Sequence, residues 1–147
     1  MKAIERILVP TDCSAGSDAA AEIAAELAIR LKASVDVIVV VDPAISVEIS
    51  GDAARRSPRT GDIDGPAQTD AEQFASRHFR GLDRVQVHVR GGNAFLEILQ
   101  AARELNSDMI VMGTRGRTGL SSPVIGSIAE RVVRASEVPV LTVRRPH

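Results

Sequence analysis

The sequence predicts a doubly wound α/β domain: a Rossmann-like parallel sheet of five strands in the order 3-2-1-4-5, with helices on both faces. Three observations carry this expectation. Short apolar runs alternate with amphipathic helical patterns, the central runs are apolar at successive positions, and a glycine-rich segment leads from the fourth run into a helix. Alternating strands and helices build parallel sheets through right-handed crossovers. Strands covered on both faces lose the in-and-out alternation of a half-exposed strand.

The elements follow in chain order. Ile4–Val9 is a short apolar run ending in Pro10-Thr11-Asp12. Residues 15–32 place Ala20, Ile23, Ala24, Leu27 and Leu31 on one stripe at spacings of three and four, as an amphipathic helix does. Val35–Val41 (VDVIVVV) is rich in β-branched residues and reads as the second strand. A weaker helical stripe of Ala71, Phe74, Ala75 and His78 spans 67–79 and ends near Gly81. Val85–Val89 alternates cleanly, as a strand near a sheet edge does. Asn93 is suited to cap a helix over 93–105 whose inner face is Phe95, Ile98, Leu99, Ala102 and Leu105. Met109–Met112 is the fourth strand. The last helix, 127–136, turns Ile128, Val132 and Val133 inward, and Val138–Val143 carries a proline that suits an edge. With strands 35–41 and 85–89 on one side of the first strand and 109–112 on the other, the apolar strands lie inside.

At 147 residues the chain is expected to form one domain, 1–147, burying roughly two-thirds of its unfolded surface. Only 43–66 departs from this. Its prolines, glycines and charges lack apolar periodicity, which predicts a flexible loop.

Composition narrows the function. A formal charge of −1, no Trp or Tyr and three Phe supply neither a field nor stacking platforms for nucleic acid. No apolar run approaches a membrane span, and the start MKAIERILVP is not a secretory signal. The chain is therefore expected to bind neither nucleic acid nor membrane. The single Cys13 makes no internal disulfide, which suits a cytoplasmic location. There is no G-x4-G-K-[S/T] loop, and the first strand–helix turn lacks the dinucleotide fingerprint. His78, His88 and His147 are isolated, and His88 reads as a surface residue on the polar side of its strand. No catalytic residue and no metal ligand is assigned.

Open parallel sheets bind ligands beyond the carboxyl ends of their strands, where neighbouring connections leave in opposite directions. Here that point lies between the first and fourth strands, where Pro10-Thr11-Asp12 meets 112–127, MGTRGRTGLSSPVIGS. Gly113 and Gly116 flank Thr114-Arg115, and nine residues later Gly126-Ser127 opens a helix. Glycine lets a bulky ligand approach the main chain. A helix start presents unpaired N–H groups and partial positive charge, which together suit phosphate. Ser127 could add a hydroxyl and Arg115 a charge-assisted contact. The same residues also admit a reading without ligand, in which Ser127 and Glu130 form a capping box and Asp12 caps the first helix with Ser14.

The G-x2-G-x9-G-S pattern at 113–127, between DMIVMG and AERVVRASEVPVLTV, resembles the nucleotide-binding signature of the universal stress protein family. ILVPTDCS, VVVDP and GGNAFLEILQAA are similar to that family too, so the likeness covers nearly all of the chain apart from 43–66. The resemblance implies ATP in the crevice and a homodimer formed through the last strand, 138–143, whose apolar edge would otherwise stand unpaired. By that likeness Gly113, Arg115, Gly116, Gly126 and Ser127 would surround the phosphates and ribose. Pro10, Thr11 and Asp12 would line the near wall, with Asp12 meeting ribose hydroxyls or a Mg²⁺. Val39, Val41 and Met112 would border the adenine. Where some nucleotide-binding members carry a hydroxyl two places after the Gly-Ser pair, this chain has Ala129, and its Ser121-Ser122-Pro123 linker is less apolar. The implied function is nucleotide-dependent regulation of a stress response. A dimeric interaction module without nucleotide and a slow ATP hydrolase are the alternatives.

Overall fold

The computed structural model describes residues 2–43, 60–114 and 125–145. In chain order these form β1 (Arg6–Pro10), a 3₁₀ turn (Ala15–Ser17), α1 (Asp18–Leu31), β2 (Ser34–Val41), α2 (Thr60–His78) and β3 (Val85–Gly91). There follow α3 (Ala94–Glu104), β4 (Met109–Gly113), α4 (Ser127–Ala135) and β5 (Val140–Val143). The strands make one sheet in the order β3-β2-β1-β4-β5, every pairing parallel, as the alternation of strands and helices predicts.

Each sheet face carries its own core. On one, α1 and α2 cover Ile7, Val9, Val35, Val37 and Val111, with Phe74 between them and the strands. On the other, α3 and α4 cover Leu8, Ile38, Ile110 and Met112 with Ile98, Ala101, Ala129 and Val132. The buried stripe of α1 is Ala20, Ala21, Ala24 and Ala28, whereas Ile23 and Leu31 of the expected stripe remain exposed. Alanine lets the helix axis lie close to the sheet, and the larger side chains then flank the contact. In α4 the same displacement buries Ala129 and Val132 and leaves Ile128 and Val133 outside.

Helix α2 begins earlier than its periodicity predicts and contains Pro66. Its residues 65–70 contribute no buried side chain, so there was no apolar stripe to read, and burial starts at Ala71. The Thr69 hydroxyl donates to the Gly65 carbonyl at 3.1 Å, and Gln68 bonds Glu72 at 2.8 Å one turn on. Of the expected loop at 43–66, residues 44–59 lie outside the described residues, and 60–66 are helical.

Asn93 caps α3 as its sequence position predicts: its backbone is extended and its Oδ1 accepts from the Leu96 amide at 3.2 Å. Asn93→Ala is expected to cost about 1 kcal/mol, read as a lower urea midpoint with an unchanged m-value. Among the described residues no helix is long and apolar enough to cross a membrane.

Candidate functional site

The crevice arises where two central strands part. The β1–β2 ladder runs to the pair Pro10↔Ile38 and continues through the Thr11 amide, which donates to the Ile38 carbonyl at 2.9 Å. The β1–β4 ladder comprises only Ile7↔Met109 and Leu8↔Ile110. Beyond that point β4 follows β5, to Gly113↔Val143 and a 3.2 Å bond from the Thr114 amide to the Val143 carbonyl. A gap therefore opens between Pro10–Asp12 and Met112–Thr114. It lies at the carboxyl ends of the strands, where α1 leaves over one face and α4 packs on the other.

The near wall is a rigid turn. Buried Thr11 accepts from the Cys13 amide through its hydroxyl at 2.9 Å. Asp12 Oδ1 accepts from the Ser14 amide at 2.9 Å, from the Ser14 hydroxyl, and from the Ser17 hydroxyl at 3.0 Å. Between them Cys13 has φ +63°, a left-handed conformation that costs an L-residue roughly 1–2 kcal/mol. The Thr11 and Asp12 bonds on either side hold it there. Asp12 and Ser14 do act together on the entry to the first helix, as one sequence reading expects, but through this turn. The Ser14 side chain caps no amide of the 3₁₀ segment.

The far wall is built from β4 and the start of α4. Thr114 accepts from the Gly126 amide at 2.5 Å, and Gly126 accepts from the Glu130 amide at 3.0 Å as the N-cap of α4. Ser127 is thus the first helical residue, and the capping box expected of Ser127 and Glu130 does not form. Glu130 instead accepts from Arg134 at 2.9 Å. Because Gly126 has no side chain to cap with, the first amides of α4 are left to other partners. Thr114 is the residue that sequence reasoning missed here. Its place between the two glycines made it look like a spacer, although its peptide ties the loop ends together.

The site residues are not all brought to one wall. Side chains alternate along a strand, so buried Val39 and half-buried Val41 lie on the α1–α2 face with Val37, while Met112 lies in the α3–α4 core. They approach each other only at the rim of the sheet. Ala129 is buried beside Met112 and Val132. Arg115 and Gly116 lie outside the described residues. A separate recess of about 270 Å³ at the opposite end of the sheet is lined by Leu99, Arg103, Ser107, Ser136 and Val138, among others, and shares no residue with the crevice.

One expectation needs correction. His88 is not a free surface histidine: its side chain is only 22% exposed, and Nε2 lies 2.9 Å from Oδ1 of buried Asp36. Among the described residues, no cluster of three or more His, Cys, Asp or Glu could hold a metal ion.

Comparison with known proteins agrees with this architecture. The sequence profile of the Universal stress protein family matches residues 3–144. Universal stress protein MJ0531 of Methanocaldococcus jannaschii is 33% identical over 144 residues, covering 97% of this chain and 83% of that protein. The solved structure of MJ0577, a universal stress protein from the same organism, superposes with a TM-score of 0.76 at 25% identity over 99% of both chains. A universal stress protein solved in complex with cAMP shares the fold, with a TM-score of 0.72 at 21% identity over 99% of this chain and all of that one. A profile that spans almost every residue, a relative alike from end to end, and the same sheet parted at the same place lead to one conclusion: this chain belongs to the universal stress protein family.

Proposed function

We propose that the crevice between β1 and β4 binds an adenine nucleotide, ATP, and that its occupancy rather than its turnover is the signal in a stress response. The observation that carries this reading is the uncapped, glycine-led start of α4 beside a gap in the central sheet. Backbone amides and the positive end of a helix are suited to phosphate, and the residues present fit that group. Gly113, Arg115, Gly116, Gly126 and Ser127 would surround the phosphates and ribose. The Gly126 amide is already given to Thr114, so amide donors to phosphate come from Ser127 onward. Pro10, Thr11 and Asp12 form the opposite wall, with the Asp12 carboxylate toward ribose or a Mg²⁺. Val39, Val41 and Met112 supply aliphatic contacts to the base from the two sides of the rim. A relative of the same fold captured with cAMP supports the choice of an adenine nucleotide by analogy of fold.

A second copy of the chain would cover β5, the edge strand next to β4. The helices packed near that edge, α1 and α4, carry exposed Ile23, Leu31 and Val133, which extend an apolar surface away from the strand. The lone Cys13 suits a reducing, cytoplasmic setting.

A ligand that binds only the folded chain stabilises it by about 2.7 kcal/mol at a hundred times its Kd. ATP is therefore expected to raise the melting temperature by roughly 5–11 °C at that ratio. Gly113→Val, which puts branched carbons beside the main chain of the far wall, is expected to abolish the rise while far-UV dichroism stays unchanged. A wild-type protein whose melting temperature ignores ATP overturns the reading.

A further inference from the structure

Strand β2 presents five consecutive aliphatic residues, Val37 to Val41, to its neighbours. Such a run cannot tell β3 where to stop. Sliding β3 by one residue would turn Val85, Val87 and Val89 away from the α2 side, so burial forbids it. Sliding by two keeps every β3 side chain on its own face and sets valine against valine again. Neither the apolar pattern nor the backbone ladder distinguishes that slipped pairing from the observed one.

One residue in the interior of β2 is polar. Asp36 is buried, with 2% of its side chain exposed, and both carboxylate oxygens are engaged across the neighbouring strands. Oδ2 accepts from Arg6 Nη2 of β1 at 2.9 Å, and Oδ1 lies 2.9 Å from His88 Nε2 of β3. Both bonds are diagonal, because the direct partners of Asp36 are Leu8 and Gln86. The other charged groups over this face belong to β3 and α3: Arg90 pairs with Glu104 at 2.6 Å and approaches Glu97 at 3.8 Å. These are not bonded to the triad.

The geometry points to Arg6, Asp36 and His88 as a register lock that sets β3 against β2 and β2 against β1. A two-residue slip moves His88 roughly 7 Å along the sheet and strips Asp36 of one partner where water does not replace it. The network is a costly way to gain stability alone, since Arg6 Nε is itself buried without a hydrogen-bond partner. Buried ionic groups are best attested as devices that single out one register. The stakes reach the rim: Gly92 donates to the Val41 carbonyl at 2.9 Å, so the register sets where the β3–α3 turn stands beside the end of β2.

The test compares His88→Leu, His88→Gln and the triple variant Arg6→Met, Asp36→Leu, His88→Leu by NMR cross-strand contacts and amide hydrogen exchange. The wild type and His88→Gln, which keeps a donor, are expected to show one set of β2–β3 contacts. His88→Leu and the triple variant are expected to show a second set offset by two residues. Exchange across β3 should rise at least tenfold, with β4–β5 unchanged. If the triple variant does not fold, the His88→Leu and His88→Gln pair decides. Equal registers and equal β3 exchange in those two overturn the assignment, as does a folded triple variant with a single register.

Discussion

Phe74→Ala is expected to destabilise the protein by about 3–5 kcal/mol and to lower its melting temperature by roughly 6–20 °C. Phe74 is 1% exposed and is the largest fully buried side chain on the sheet. Its surroundings cannot refill the space. The core on that face is made of Ala20, Ala21, Ala24, Ala28 and short valines, whose rotamers reach no further when a ring is removed. The lost ring also leaves His78, whose imidazole centroid lies 4.6 Å away and whose Nε2 meets Asp18 of α1 at 2.8 Å. Urea melts of Phe74→Ala, with Leu96→Ala as a surface control, check this. Leu96 is 58% exposed, and its truncation should stay within about 0.5 kcal/mol.

Asp108→Ala is expected to cost roughly 2–3 kcal/mol at neutral pH, and the loss should fade in acid. The carboxylate joins the start of β4 to the start of β1. Oδ2 accepts from the Glu5 and Arg6 amides at 2.9 and 3.0 Å, and Oδ1 meets Lys2 Nζ at 2.9 Å. The Lys2 hydrogen bond, with those two amides behind it and burial opposing, holds the Asp108 carboxyl below the ordinary aspartate value. A carboxyl depressed in the folded state favours folding fully above the unfolded value of about 3.9 and loses that contribution as pH falls toward the folded value. Wild type and variant should therefore differ most above pH 5 or so and converge below pH 4 or so. A stability gap that persists unchanged to pH 2.5 or so would show that Asp108 acts through packing alone.

The strand order was legible because it needs only apolar runs and their alternation, and both are local. The inward faces of α1 and α4 were legible only in part. Periodicity ranks side chains by hydrophobicity, whereas close helix–sheet packing selects the small ones, Ala24 and Ala129, over Ile23 and Ile128. The polar network around Asp36 left no local signal, since its members are separated by 30 and 52 residues and meet only when three strands align. Ser127 shows a different limit. Its spacing to Glu130 satisfies a capping box, but the bond between Thr114 and Gly126 moves the helix start one residue back and gives the cap to glycine. The glycine skeleton of the crevice was readable, while the parting of β1 from β4 that makes room beside it is a property of the ladder, not of any residue type.

The bond from the Gly126 amide to the Thr114 carbonyl makes the intervening chain a closed ring hung from the scaffold. Lengthening such a ring costs little, about 0.6 kcal/mol for each doubling. Sequence drift between the two anchors can thus retune what the ring grips, while the helix beyond keeps its place.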